Sequence, residues 1–238
     1  MGKRIIQQRR GKGSHTYKSP THRFKAFIGY PSYSEKPIQG KIEKLLHSVG
    51  YSAPLVKVRL NNGKIFYNLA SEKLVEKQNI FLGGHEIKEG NILSLVNIPE
   101  GTAVYNIELR PGDGGKLVRG AGSSARILKQ IDSKVLVLMP SKEEKLFNAK
   151  ARATIGVIAA GGRKEKPLVK AGKKWYLMKA KSKLYPRTSA VKMNALDHPF
   201  GGGRGKVIGK PKTPPRFAPA GRKVGLLRAK RTGRRKKK

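Results

Sequence analysis

Apolar and polar residues alternate with a period of two along much of the middle of the chain. Val56, Val58 and Leu60 are interleaved with Lys57 and Arg59, and the alternation resumes at Ile65, Tyr67 and Leu69. Between these runs, Asn61-Asn62-Gly63 is a sequence in which Asn and Gly accept positive φ, so the pair predicts a hairpin. Ala103, Tyr105, Ile107 and Leu109 form another run of period two. Arg126 to Ile131 and Lys134 to Met139 flank Asp132-Ser133 as a second hairpin, and Ala153 to Ile158 is an apolar strand closed by Gly161-Gly162. Short strands punctuated by glycine predict a mainly β chain built of small barrels. Two stretches depart from this pattern. Ile42, Leu45, Leu46 and Val49 recur at helical spacing, and Ser71 to Gln78 also suits a short helix. No internal repeat is visible.

The flanks are different material. The chain has 238 residues, with 53 Lys and Arg against 14 Asp and Glu, a net charge of +39. That charge is uneven: +8 over residues 1–36, +2 over 37–100, +14 over 101–190 and +15 over 191–238. A nearly balanced segment suits a self-sufficient folded domain, whereas the ends suit arms laid on phosphate. Self-repulsion at +39 opposes a compact free state, and a permanent polyanionic partner removes it. This argues against a freely diffusing metabolic enzyme. The last 48 residues hold eight glycines and five prolines, so the C-terminal arm is expected to be disordered until it binds. Cysteine is absent, which removes disulfides, thiolate metal sites and cysteine nucleophiles. No apolar run reaches membrane-spanning length and the first residues, MGKRIIQQRRGKG, lack the apolar core of a secretion signal. The expectation is a soluble, cytoplasmic protein with no membrane contact and no homo-oligomer.

Motifs of enzyme chemistry fail on inspection. Gly201-Gly202-Gly203-Arg204-Gly205-Lys206 lacks the spacing of a phosphate-binding loop and the hydroxyl residue after its lysine, and PGDGGK at residues 111–116 fails likewise. His85-Glu86 opens a HExxE run without the second histidine of a zinc site. No metal or other cofactor is expected, apart from magnesium and potassium as counterions of a nucleic acid. Asp197 and His198 are adjacent, and in extended chain neighbouring side chains point to opposite faces, which disfavours a carboxylate–imidazole dyad. No nucleophile is identifiable beside His198, so no catalytic residue is assigned and a loop contact is the better account.

The basic segments carry planar side chains. Arg9, Arg10, Lys12, Arg23 and Lys25 are interleaved with His15, Tyr17, His22, Phe24 and Phe27, and the mixture recurs with Trp175, Tyr176, Tyr185, Arg187, Phe200, Arg204 and Phe217. Cations pair with phosphates, and planar groups stack on unpaired bases, which folded RNA offers and regular duplex DNA does not. The alternative is a nonspecific nucleic-acid-condensing protein, which explains the charge but not the barrel-like segments or the glycine loops.

Five ordered stretches resemble the second universal protein of the large ribosomal subunit in its archaeal-type form. They are GKIEKLLHSVGYSAPLVKV (residues 40–58), NIPEGTAVYNIELRPGDGGKLVRGAGSSA (97–125), RATIGV (152–157), KAGKKW (170–175) and MNALDHPFGGGRGK (193–206). The resemblance implies an oligonucleotide-binding-type barrel over 37–90 and an SH3-like barrel over 91–170. These lie between a basic extension over 1–36 and a Gly/Pro-rich basic extension over 171–238. On that pattern residues 42–49 are strand, against their local spacing. The implied role is a structural, non-enzymatic constituent of the large subunit. It binds large-subunit rRNA, touches neighbouring ribosomal proteins and the small subunit at an intersubunit bridge, and supports tRNA binding and the peptidyl transferase region. His198 matches the histidine of the family's glycine loop in a supporting role. Phe200 stands where many bacterial members have a second histidine, and Arg204 where they have an acid. The expected RNA contacts are Arg9, Arg10, Lys12, His15 and Arg23 near the start and Arg119, Arg126, Arg152 and Arg163 in the middle. Trp175, Arg187, Asp197, His198, Gly201, Gly202, Gly203, Arg204, Lys206 and Arg216 follow toward the end.

Overall fold

The computed structural model describes residues 2–32, 37–205 and 207–229, so Lys206 and residues 230–238 lie outside the described residues. The chain divides into two compact units, one of Thr21–Val169 and one joining Met1–Pro20 to Lys170–Lys238.

Among the described residues the first unit carries ten strands: β1 (Ile38–Leu46), β2 (Leu55–Leu60), β3 (Ile65–Leu69), β4 (Asn79–Leu82), β5 (Ile92–Ser94), β6 (Ala103–Tyr105), β7 (Ala125–Ile131), β8 (Lys134–Leu138), β9 (Glu144–Asn148) and β10 (Arg152–Ile155). They form one hydrogen-bonded sheet in the order β3-β2-β1-β4-β5-β10-β6-β7-β8-β9. The mainly β class expected from the alternation holds. Among the described residues, the strand pairing that joins β1–β4 to the remaining strands is a parallel one at Leu82 and Ile92. Each side of that joint encloses its own core. Ile42, Val58, Phe66 and Ile80 belong to the first, and Leu93, Val104, Ile127, Val137 and Phe147 to the second. The two halves follow in the expected order, oligonucleotide-binding-type then SH3-like. A third cluster, with Ile28, Leu55, Leu69, Tyr105 and Ile158, draws from both.

β1 overrides its helical spacing, and the reason is a bulge. Ile42 pairs with Val58, but the register then slips so that Lys44 faces Lys57 and Leu45 faces Val56. The extra residue moves the next core-facing position from 44 to 45, which imitates an i, i+3 pattern. Backbone pairing to β2 on one side and β4 on the other holds the segment extended. Ser71 to Gln78 is not a helix. Leu74 is buried, but Lys77 at φ 69° interrupts the turn. Both expected hairpins form, with Gly63 at φ 79° and Asp132 at φ 46°. The run from Ala103 stops being strand after Tyr105, because Asn106 at φ 50° turns the chain; Ile107 remains buried and bridges to Leu117.

The second unit contains no strand among the described residues. It holds helices α1 (Ile6–Gly11) and α2 (Ala171–Lys179), joined by turns. At the entry to α1, the Ile5 N–H donates to Gln8 Oε1 at 3.0 Å, which satisfies one of the open donors of a helix start. The two ends of the chain, expected as separate arms, fold on each other: the Lys3 N–H donates to Leu196 O at 2.9 Å, and Lys3 Nζ lies 3.5 Å from Asp197.

Candidate nucleic-acid interface

His198 sits on a tight loop whose shape is set by backbone. The amides of Asp197 and His198 donate to Asn194 O at 3.0 and 3.3 Å, Gly201 N–H donates to His198 O at 2.8 Å, and Gly202 N–H donates to Met193 O at 3.0 Å. Gly201 has a packing reason to be glycine, since a Cβ there would lie 2.3 Å from Asn194 O. Gly202 and Gly203 follow at φ 80° and 83°. The imidazole is buried, 7% exposed, and its Nδ1 accepts the Phe200 N–H at 3.0 Å. That bond requires the neutral tautomer with the proton on Nε2. Burial pushes the His198 pKa below its ordinary value. Asp197 is turned to Lys3, so no Asp–His dyad forms. The Phe200 ring packs 5.3 Å from the imidazole at an interplanar angle of 57°.

Beside this loop lies a cavity of about 530 Å³. Both chain ends build it: Arg4, Ile6 and Arg9 come from the start of the chain, and Leu184, Arg187, Met193 and His198 from the end. The unit that holds it carries 29 Lys and Arg against a single acid, Asp197. Trp175 is half-buried on α2, with Lys179 Nζ 4.6 Å from its ring centroid and Tyr176 edge-on at 4.9 Å.

The strand unit holds its polar residues differently. Glu108 is wholly buried and pairs with Arg152, whose Nη2 and Nε lie 2.8 and 3.1 Å from Glu108 Oε1. Arg152 Nη1 donates to Pro31 O at 2.9 Å, and the ring of Tyr30 lies 5.4 Å from the guanidinium. A directed chain runs alongside. Arg119 Nε donates to Asn106 Oδ1 (2.7 Å), Asn106 Nδ2 to Asn68 Oδ1 (2.9 Å), and Asn68 Nδ2 to Thr154 Oγ1 (2.9 Å). The Tyr30 hydroxyl donates to Asn106 O (2.7 Å), so the 2.6 Å bond between Tyr30 and Thr154 takes its proton from Thr154. Burial pushes the Tyr30 hydroxyl well above its ordinary pKa and lowers that of Arg119.

The model of the C-terminal domain of ribosomal L2 proteins matches residues 88–218, from just before β5 through the His198 loop. The large ribosomal subunit protein uL2 of Methanothermobacter thermautotrophicus is 47% identical over 99% of this chain and 100% of its own. That of Archaeoglobus fulgidus is 48% identical over 98% of this chain and 99% of its own, and that of Methanococcus aeolicus 49% over 99% and 100%. The chain belongs to the uL2 family.

Within this uL2-family chain the expected contact residues separate into four settings. Arg9, Arg10, Lys12 and His15 are exposed near α1, and Arg187, Gly202, Gly203, Arg204 and Arg216 are exposed in the same unit. Arg23, Arg126 and Arg163 are exposed on the strand unit. Arg119 is half-buried and Arg152 is buried, both committed to the internal network. Asp197, His198 and Gly201 shape the loop from inside. Sequence patterning missed Arg4, Glu108 and Asn106. Glu108 had one signal: it is an acid, scarce in this chain, between the apolar Ile107 and Leu109. Arg4 had none, since nothing in its neighbourhood announces a cavity.

Proposed function

We propose that this chain is a structural constituent of the large ribosomal subunit that binds large-subunit rRNA and catalyses nothing itself. One observation carries this: the two chain ends form a single unit with 29 cations and one carboxylate, in a chain of the uL2 family. Such a unit neutralises phosphates and brings together RNA helices whose repulsion would keep them apart. The strand unit supplies two rigid docking faces. Its Glu108–Arg152 pair and the polar chain around Asn106 fix the segment at Ile28–Pro31 to the strands. Neighbouring ribosomal proteins, the small subunit at a bridge, and magnesium and potassium as RNA counterions complete the surroundings, in the cytoplasm. The His198 loop supports tRNA placement and the peptidyl transferase region by its shape. Its Nδ1 is spent on Phe200, which suits a loop-forming histidine rather than an acid–base catalyst.

Footprinting on protein-free large-subunit rRNA against random duplex RNA tests this. Localised protections and a strong preference for the rRNA at moderate salt are expected. Equal affinity for both would leave only nonspecific condensation.

A further inference from the structure

The geometry points to the half-open cavity between α1 and the His198 loop as a receptor for one unpaired RNA nucleotide, its base seated in the cleft and its flanking phosphates held by Arg4, Arg9 and Arg187. This rests on the rRNA-binding function proposed above and names the site at which a single nucleotide is gripped. At about 530 Å³ the cavity lies within the range of about 300–1,000 Å³ typical of small-molecule sites. Its wall is mixed in the manner a nucleotide requires. Ile6, Leu184 and Met193 offer apolar surface to a base. Gln7, Ser189 and His198 offer hydrogen-bonding groups, and with Nδ1 taken by Phe200 the imidazole presents its proton on Nε2.

The three guanidiniums have no ion-pair or hydrogen-bond partner among the described residues. Exposed cations grouped around a half-open cleft without counter-charges favour an anion there, and the planar fork of arginine matches phosphate oxygens and also stacks on bases. Asp197, the one acid on the wall, is already paired with Lys3. A protein ligand would bring few anions to match three arginines. A phosphodiester brings one on each side of every base. Because both chain ends build the wall, the receptor exists only when they are folded together.

The test uses the full-length chain bound to protein-free large-subunit rRNA. Ultraviolet cross-linking with mass spectrometry should join residues 184–193 to one unpaired nucleotide. Chemical probing should find that nucleotide protected in the wild-type complex. Ala190→Trp, which fills the cavity, should restore its reactivity at least tenfold while protections made by the strand unit persist. Cross-links from this segment spread over many nucleotides, or unchanged protection in the variant, would overturn the receptor and leave rRNA binding standing. Global loss of protection in the variant would also overturn it as a separable site. Absence of any localised protection by the wild type would instead defeat rRNA binding itself. Free adenosine or guanosine monophosphate at millimolar concentration, added before irradiation, should leave the cross-link yield unchanged; suppression of the cross-link would assign the cavity to free nucleotides and overturn the RNA assignment.

Discussion

At the residue scale, His198 and Glu108 show how burial decides chemistry. His198 has a pKa lowered by burial, so the unfolded chain binds more protons than the folded one between the lowered value and the ordinary one near 6.5. The stability its neutral form contributes is complete above that ordinary value and is lost as pH falls through the window below it. An NMR titration of the His198 ring should therefore show a midpoint below 6.5 and the Nε2–H tautomer at neutral pH; a midpoint above 6.5 would contradict the buried, hydrogen-bonded ring. His198→Gln should assemble into large subunits and leave peptidyl transfer unchanged. Intact assembly with collapsed transfer would instead make the imidazole a catalytic group. Glu108 presents the opposite case, a charge that survives burial because Arg152 faces it. Removing one partner of a buried ion pair leaves the other uncompensated, so Glu108→Ala should destabilise the strand unit by about 3–5 kcal/mol, read as a shift in urea unfolding followed by circular dichroism. A change under about 1 kcal/mol, the range of exposed pairs, would mean the pair is not desolvated.

At the element scale, the decisive features are places where the chain leaves its regular pattern. The bulge in β1 turns a strand into an apparent helix period, and Asn106 at positive φ ends an alternation that looks set to continue. The glycine loop separates two reasons for glycine. At Gly201 a Cβ would strike Asn194 O, a backbone atom that cannot yield without opening the loop, whereas at Gly203 there is open space and only the positive φ resists a side chain. Gly203→Ala should cost about 1–2 kcal/mol, the penalty of a left-handed L-residue. Gly201→Ala should cost more and release the His198 ring from Phe200, seen as a shift of the ring resonances toward those of an exposed imidazole. Equal effects of the two substitutions would show that the close approach to Asn194 is not what holds the loop.

At the scale of the whole molecule, the charge is segregated as well as large. The strand unit, residues 21–169, has 24 cations and 13 acids, while the unit of the chain ends has 29 and one. The strand unit therefore has internal counter-charges to draw on, and the other has a single acid among its own residues. The joining of the two ends has a direct consequence. Deleting residues 1–12 removes the Lys3 bond to Leu196, the Lys3 pair with Asp197 and the α1 wall of the cavity. Amide exchange at Gly201 and Gly202 should then accelerate about tenfold, the equivalent of one or two lost hydrogen bonds. Unchanged exchange would show that the loop is autonomous of the N-terminus.

The order of residues alone determined the β class, both hairpin turns, the concentration of charge at the two ends and the glycine–histidine loop. Each of these is a local property: alternation, turn chemistry and composition act between near neighbours. Tertiary structure decided what depends on partners distant in sequence. β1 is a strand because β2 and β4 pair with it on both sides, and Arg152 faces inward because Glu108, 44 residues earlier, is buried beside it. The cavity near His198 exists because the first residues of the chain meet residues 184–198. No local pattern encodes such a meeting, since it depends on which surfaces come together once both segments are folded.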